Sequence, residues 1–348
     1  MTQMNVIVPI LNIRKAPVED FSDKSNVVAK LFNGAPFITV KEKTNKLGKW
    51  YQNEKGYWAW EVGLGSSTAI EKAVPDLQTF LNSCFDGQTL KSEINYGALL
   101  EIEDAVKLTS GQDVVIGILD HPMSTSIKFN NPVTAPFHVN DPLFNFHANF
   151  IAGIIAGTAG VIGFANKCRL IELPIYNARA SSGGIDINAV LQFINRDDQP
   201  MIVNISNKLD AQYNDTIKNF RPNKIVVAAA GIDEQLCANT IRDPASLENV
   251  IAIGAITKPL SSLPKLNSKV DFVLPNFNFV SYGKASNLFA QEKGDSFACA
   301  VVSGIIALLI SSNKVGFDKV SIKNALSEIA FPSSVESFNS LNLINVTS

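Results

Sequence analysis

The stretch Val114-Val115-Ile116-Gly117-Ile118-Leu119-Asp120 decides the fold, because it is an apolar run of strand length that ends on a carboxylate. Four further apolar runs follow it along the chain, at Cys168 to Pro174, Met201 to Ile205, Ile225 to Ala230 and Val250 to Ala255. Helical patterns separate these runs, at Ala148 to Ala159, Asp186 to Phe193 and Asp215 to Phe220. Apolar strands that alternate with helices are typical of a parallel sheet covered on both faces. The sequence therefore predicts an α/β fold for this part of the chain.

Three polar residues stand at the junctions of these elements, where a side chain can point into a cleft. Asp120 ends the first strand, His147 opens the first helical run, and Ser296 opens the most apolar segment of the chain. A serine hydroxyl is a weak nucleophile that needs a base within hydrogen-bond reach. His147 would take its proton, and Asp120 would fix the histidine tautomer and stabilise the imidazolium. Each residue alone is explained as a cap or a surface group, but the three together predict a nucleophilic triad.

The motifs around these residues resemble those of the subtilisin-like serine proteases, the subtilases. The matching stretches are Gly117-Ile118-Leu119-Asp120, Phe146-His147-Ala148-Asn149-Phe150-Ile151-Ala152-Gly153 and Gly294-Asp295-Ser296-Phe297-Ala298, in the order Asp, His, Ser that subtilisin has. Val226-Val227-Ala228-Ala229-Ala230-Gly231 is similar to the family's VVAAAGN motif, and the similarity extends over residues 95–348. The resemblance implies a three-layer α/β sandwich with a mainly parallel sheet. It also implies a serine endopeptidase of narrow specificity, with Asp120, His147 and Ser296 as its catalytic residues and an acyl-enzyme on Ser296.

Two positions next to the triad depart from the family's pattern. Ile232 stands where the family has the oxyanion-hole asparagine, and an isoleucine donates no hydrogen bond. In subtilisin the loss of that donor costs about 10²–10³ in rate, so the backbone N–H of Ser296 would be the oxyanion donor that remains. Asp295 adds a carboxylate beside the nucleophile, where we expect it to repel a developing oxyanion or to raise the pKa of His147.

The resemblance also assigns the residues that would bind an extended peptide. The segment Ser181-Ser182-Gly183-Gly184 keeps the family's small residues, which suit pairing with a substrate strand. In the segment Ser206-Asn207-Lys208-Leu209, Lys208 and Leu209 replace the two glycines that admit a peptide backbone. The candidate substrate-binding residues are Ser181, Ser182, Gly183, Gly184, Ser206, Asn207 and Gly231.

Residues 1–63 have a different pattern, with short alternating runs separated by turn signals such as Asn33-Gly34. This pattern predicts a small all-β barrel. Leu11-Asn12-Ile13-Arg14-Lys15-Ala16-Pro17 and Gly56-Tyr57-Trp58-Ala59-Trp60 resemble the opening and closing motifs of bacterial Src-homology-3-like domains. That resemblance implies a peptide or glycan ligand for the barrel. Residues 64–94 are then a connector with a helix, and residues 95–348 are the protease-like domain.

Composition limits the remaining possibilities. The net charge of −2 argues against nucleic acid as a partner. Cys84, Cys168, Cys237 and Cys299 include no CxxC pair, so we predict no metal site and no cofactor, with structural calcium left open. The longest apolar run, Phe297 to Ile310, is too short to span a bilayer. Because the start of the chain lacks the features of a signal peptide, a cytoplasmic protein is the default expectation, with secretion by another route as the alternative.

Three functions remain open at this point. The first is an active serine endopeptidase acting on a peptide or protein, which retention of all three triad residues favours. The second is a pseudoprotease that binds a peptide or partner without cutting it, which the loss of the oxyanion donor favours. The third is a hydrolase of another acyl substrate on the same scaffold.

Overall fold

The computed structural model describes residues 2–6, 10–19, 26–32, 36–61, 64–65, 84–86, 89–96, 103–137, 146–175, 185–231, 241–256, 269–275, 278–284, 288–332 and 342–344. The chain divides into two compact units, Met1–Phe80 and Leu81–Ser348. Each unit has an apolar core of its own.

The N-terminal unit is built on one antiparallel sheet with strand order β3-β2-β6-β5-β4-β1-β7. Its strands are β1 (Thr2–Val6), β2 (Ile10–Arg14), β3 (Val27–Phe32), β4 (Pro36–Asn45), β5 (Gly48–Asn53), β6 (Trp58–Trp60) and β7 (Leu64–Gly65). Phe37, Trp50 and Trp58 are buried inside it. Its described residues therefore agree with the predicted all-β unit, while the resemblance to Src-homology-3-like domains stays a prediction.

The predicted connector begins with a strand of this sheet. Leu64 pairs with Val6 and Gly65 pairs with Asn5, so β7 continues the N-terminal sheet beyond residue 63. The helix that we predicted for the connector falls on residues that lie outside the described ranges.

The second unit is built around a large, mainly parallel sheet with strand order β14-β11-β15-β16-β17-β18-β22-β21. All neighbours in it are parallel except the pair β21–β22. The strands are β11 (Val115–Asp120), β14 (Arg169–Pro174), β15 (Met201–Ile205), β16 (Lys224–Ala229), β17 (Val250–Ile256), β18 (Phe272–Pro275), β21 (Ala330–Pro332) and β22 (Asn342–Ile344).

Smaller strands and six helices complete the description of this unit. The strands are β8 (Phe85–Asp86), β9 (Thr89–Leu90), β10 (Ile94–Asn95), β12 (Thr158–Ala159), β13 (Val161–Ile162), β19 (Phe279–Tyr282) and β20 (Phe289–Glu292). The helices in the described ranges are α1 (Glu103–Thr109), α2 (Phe146–Ala156), α3 (Ile187–Arg196), α4 (Asn214–Lys218), α5 (Asp295–Ser311) and α6 (Lys319–Ile329), with a short 3₁₀ turn at Ala211–Tyr213.

The two faces of the main sheet are covered by different helices, as the continuously apolar strands predicted. Every residue of β11 is buried. Because side chains alternate along a strand, Val115 and Leu119 face one way, into a core that includes Leu191 of α3. The opposite face packs against α2 and α5. The predicted three-layer sandwich is thus confirmed.

Alternation along the strands also places the candidate site. Asp120 belongs to the set of β11 side chains that faces α2 and α5. Asn204, which pairs with Ile118 in the register, points to the same face from β15 and reaches Ser303 of α5. The first predicted helix differs in its bounds: it spans Phe146–Ala156 rather than Ala148 to Ala159, and Thr158–Ala159 is strand β12. His147 therefore lies within the first turn of α2 instead of preceding the helix.

Candidate active site

Asp120 and His147 form a direct hydrogen bond. Asp120 Oδ2 and His147 Nδ1 are 2.8 Å apart, at the carboxyl end of β11 and the first turn of α2. The carboxylate is fully buried, whereas the imidazole side chain keeps 20% of its surface exposed. The other carboxylate oxygen accepts from the backbone N–H of His121, at 2.7 Å. Asp120 thus fixes the orientation of the imidazole.

The environment of His147 favours its protonated form. Burial by itself lowers the pKa, but the charge and the hydrogen bond of Asp120, with a smaller contribution from Glu292, outweigh burial and raise the pKa above its usual value. Glu292 ends β20 and is partly exposed. Sequence analysis did not identify this second carboxylate near the imidazole, because Glu292 belongs to no motif.

Ser296 lies in the first turn of α5, the helix that Gly294 precedes. Phe297 and Ala298 direct their backbone N–H groups to Gly294 O, at 3.1 and 3.4 Å. Within the described residues, no acceptor is found for the N–H of Ser296. Helix N-termini carry such unsatisfied donors and a partial positive charge, which suit an oxyanion.

Phe297 brings the start of α5 against the start of α2. Its ring centroid lies 5.6 Å from that of His147 and 4.5 Å from that of Phe150. On its other side the ring contacts Phe279 of β19, at 5.8 Å. The structure therefore brings the predicted residues Asp120 and His147 together and holds Ser296 one residue away from an aromatic contact with the imidazole.

The hydroxyl of Ser296 makes a different hydrogen bond from the one that a triad uses. It donates to the carbonyl oxygen of Ser206, at 2.7 Å. A serine hydroxyl has one proton, so in this conformation the proton is directed to Ser206 and not to His147. Rotation about the Cα–Cβ bond of Ser296 would be needed to turn the hydroxyl towards the imidazole.

A buried polar network holds Ser206 in place. Its Oγ lies 2.8 Å from Ser296 O and 2.9 Å from Asn204 Oδ1, and both atoms are acceptors. Asn204 Nδ2 in turn donates to Ser303 Oγ, at 3.0 Å, and to the sulfur of Cys299, at 3.2 Å. Sequence analysis missed Asn204; the signal available was an amide inside an otherwise apolar strand.

Cys299 is fully buried within α5. Burial raises the pKa of its thiol to about 12. Cys168 is also fully buried, and burial raises the pKa of that thiol as well.

One carboxylate oxygen of Asp295 is hydrogen-bonded to the main sheet. Its Oδ1 accepts from the backbone N–H of Ala255 at the end of β17, at 2.7 Å, and the residue is 9% exposed. The carboxylate therefore anchors the start of α5 to the main sheet. The groups that raise the pKa of His147 are Asp120 and Glu292. The shift therefore does not require Asp295, which we had expected to raise this pKa.

A cavity of about 230 Å³ opens beside Ser296. Three predicted substrate-binding residues, Ser206, Asn207 and Gly231, line it. The other described residues of the lining are Lys208, Ala229, Arg242, Gly294, Asp295 and Ser296. Arg242 is a residue that sequence analysis missed, because it lies eleven positions beyond Gly231 in a segment without a motif.

Of the asparagines Asn149 and Asn207, the first has both side-chain amide atoms engaged, whereas the second has a side-chain N–H group without an acceptor among the described residues. Asn149 is fully buried; its Oδ1 accepts from Ser124 N and its Nδ2 donates to Gly283 O, both at 2.8 Å. Asn207 has a buried Nδ2 for which the described residues provide no acceptor. The predicted positions Ile232, Ser181, Ser182, Gly183 and Gly184 lie outside the described ranges.

The described residues provide neither a metal-binding cluster nor a membrane-spanning helix. No group of three or more His, Cys, Asp and Glu in that part of the chain is placed to hold a metal ion. No helix there is long and apolar enough to cross a membrane.

Comparisons with known proteins agree with this geometry. The model of the subtilase family matches residues 70–340. A thermophilic serine proteinase of Bacillus sp. (strain AK1) is 28% identical over 248 residues, which are 65% of this chain and 58% of that protein. Subtilisin DY of Bacillus licheniformis is 27% identical over 271 residues, 73% of this chain and 97% of that protein. The chain thus spans just over half of the thermophilic relative's length.

Solved structures show the same fold. The prenylagaramide maturation protease PagA matches with a TM-score of 0.57 at 22% identity, over 70% of this chain and 95% of that chain. A cold adapted subtilisin-like serine proteinase matches with a TM-score of 0.57 at 17% identity, over 69% and 91%. Since the family model matches more than half of the residues and the main sheet has the subtilisin-like arrangement, the chain belongs to the subtilase family.

Proposed function

We propose that this protein is a serine endopeptidase of narrow specificity that cleaves peptide bonds through an acyl-enzyme on Ser296. The observation that carries the proposal is the 2.8 Å hydrogen bond between Asp120 and His147, next to the helix start that holds Ser296. A buried carboxylate that orients a partly exposed imidazole has the arrangement of a general base.

The chemistry follows from these positions. Once the hydroxyl of Ser296 has turned from Ser206 O to Nε2 of His147, the imidazole accepts its proton while Oγ attacks the substrate carbonyl carbon. Asp120 stabilises the imidazolium, which then protonates the leaving amine. The backbone N–H of Ser296 at the start of α5, for which the described residues provide no acceptor, would donate to the oxyanion. Water repeats the sequence and releases the acyl group.

One observation favours a pseudoprotease as the second candidate. The hydroxyl proton of Ser296 is directed to Ser206 O, and Ile232 replaces the side-chain oxyanion donor. If the hydroxyl did not turn, the cleft would bind a peptide or partner without cutting it. An acyl hydrolase of another substrate is the third candidate, since the same nucleophile would serve it.

A fluorophosphonate probe separates these candidates. We expect the mass of the full chain to increase by that of one probe molecule, and we expect no such increase in Ser296→Ala or His147→Ala. Ser311→Ala is the matched control, because Ser311 lies at the other end of α5 and donates to Leu308 O. Absence of labelling in the unaltered protein would reject the endopeptidase. Labelling with turnover of ester substrates, but of no peptide in a mixed library, would indicate the third candidate.

The N-terminal unit is proposed to be a docking unit for a peptide or a glycan. The resemblance of its motifs to bacterial Src-homology-3-like domains supports this role. A structural calcium ion also stays a proposal, and the change in melting temperature on adding a chelator tests it.

A further inference from the structure

The cavity beside Ser296 is where the side chain of the attacked substrate residue has to lie. The carbonyl carbon that Oγ attacks is bonded directly to that residue's Cα, so its side chain begins two bonds from the reacting atom. A cavity of about 230 Å³ is lined in part by Ser296 itself. Since a water molecule takes about 30 Å³ in the liquid, the cavity has room for one medium-sized side chain.

The lining of this cavity is predominantly cationic. Lys208 and Arg242 both line it and both are exposed. Asp295 is the carboxylate among the described lining residues; it is 9% exposed, and one of its oxygens is already bound to Ala255 N. Within the described part of the lining, two positive groups thus stand against one negative group, and the positive groups are the more accessible.

Arg242 is held at the cavity wall by two contacts. Its backbone N–H donates to Ala230 O, at 3.0 Å. Its aliphatic stem lies over Gly231, so closely that a Cβ at position 231 would be 2.2 Å from Arg242 Cδ. Glycine at 231, whose φ is +71°, is thus what allows the guanidinium to reach the cavity.

We infer that this cavity binds an acidic side chain, so that the protein acylates preferentially on the carbonyl of a glutamate or aspartate residue. This inference rests on the proposed endopeptidase function and names its substrate class. The Arg242 guanidinium and the Lys208 ammonium bind the substrate carboxylate through charge-assisted hydrogen bonds. A substrate lysine or arginine in the same cavity would lie close to the positive charges of Arg242 and Lys208. The carboxylate with which it would pair, that of Asp295, is already hydrogen-bonded to Ala255 N.

Peptidyl diphenyl phosphonates that differ in one side chain test the inference on the full chain. The residue that carries the phosphorus is Glu, Gln, Leu or Lys, and the rate of labelling is followed by intact mass. We expect the Glu probe to label about tenfold faster or more than the Gln probe. Arg242→Gln and Lys208→Gln should each remove most of that ratio. Arg242→Glu should turn the preference towards the Lys probe.

Lys314→Gln is the matched control, because it removes one exposed positive charge just beyond the far end of α5; it should leave the ratio unchanged. If a fluorophosphonate labels Ser296 but the Leu or Lys probe is as fast as the Glu probe, the inference is overturned and the proposed function survives.

If nothing labels Ser296, the proposed function fails, and binding decides the inference instead. The same four peptides, as amides, are then titrated against Ser296→Ala. Tighter binding of the Glu peptide than of the Gln peptide, lost in the Arg242→Gln background, upholds the acidic site. Equal affinities reject it.

Discussion

Ser206 and Ser296 are joined by hydrogen bonds in both directions. The Ser296 hydroxyl donates to Ser206 O at 2.7 Å, and the Ser206 hydroxyl lies 2.8 Å from Ser296 O. The second contact couples the nucleophile's segment to Asn204 at the centre of the sheet, because Ser206 Oγ is also 2.9 Å from Asn204 Oδ1. The start of α5 is therefore tied to the end of β15.

Ser206→Ala should destabilise the second unit. It removes the single hydroxyl proton that lies within reach of both Ser296 O and Asn204 Oδ1. One of these acceptors then loses its donor, which typically costs about 1–3 kcal/mol. Urea unfolding measures the loss. Ser126→Ala removes an exposed hydroxyl and should change stability little. Equal effects of the two substitutions would contradict the tie between β15 and α5.

Labelling by a fluorophosphonate should increase with pH through the titration of His147. The imidazole acts as a base only when neutral, and its pKa is raised, so the midpoint should lie above the ordinary value of about 6.5. Asp120→Asn removes the carboxylate charge while burial remains, and the midpoint should move to lower pH with a much slower maximal rate. A midpoint unchanged by Asp120→Asn would show that the rate follows another group.

The same ion pair predicts how stability depends on pH. A folded-state pKa above the unfolded value stabilises the fold most at low pH. This contribution is present below the unfolded pKa and is lost as the pH rises through the folded pKa. The free energy of unfolding of His147→Gln, compared with that of the unaltered protein at several pH values, isolates this contribution. A difference that grew with pH would have the wrong sign.

Ile232→Asn should accelerate acylation of Ser296. The asparagine would add a side-chain donor to the oxyanion hole, and in subtilisin such a donor is worth about 10²–10³ in rate. The labelling rate is the measurement, and Ile232→Leu is the control that changes shape without adding a donor. No gain with asparagine would show that position 232 does not face the oxyanion.

Gly231→Ala should weaken both stability and the preference for a glutamate probe. A φ of +71° costs a non-glycine residue about 1–2 kcal/mol, and the new Cβ would displace the stem of Arg242. Gly56→Ala is a matched control in the N-terminal unit: its φ is +82°, but its Cβ would make only an ordinary contact, 3.7 Å from Gln52. It should leave the Glu-to-Gln ratio unchanged.

Residues 81–348 should label as fast as the full chain if the N-terminal unit serves only for docking. That segment begins where the second compact unit begins. Faster labelling of the fragment would show that the N-terminal unit inhibits the site, and a fragment that did not fold would show a structural role. Circular dichroism of the fragment separates the last outcome from a loss of chemistry.

Sequence alone determined the layers and the pairing of Asp120 with His147. Alternating and continuous apolar runs are local properties of the sequence. A parallel sheet necessarily collects the carboxyl ends of its strands at one edge. Asp120 at the end of β11 and His147 at the start of α2 therefore had to meet near that edge. The bounds of α2 were less certain, because an apolar run does not show where a helix gives way to the short strand Thr158–Ala159.

The tertiary structure decided where individual side chains point and which distant residues share the cavity. Asp295 turns to Ala255 N instead of the oxyanion, and the Ser296 hydroxyl turns to Ser206 O, because each choice depends on an acceptor or donor from another strand. Arg242 reaches the cavity only through its backbone bond to Ala230 O and its close contact with Gly231. Such contacts join residues through packing between elements, which leaves no periodic signal in the sequence that a local pattern could reveal.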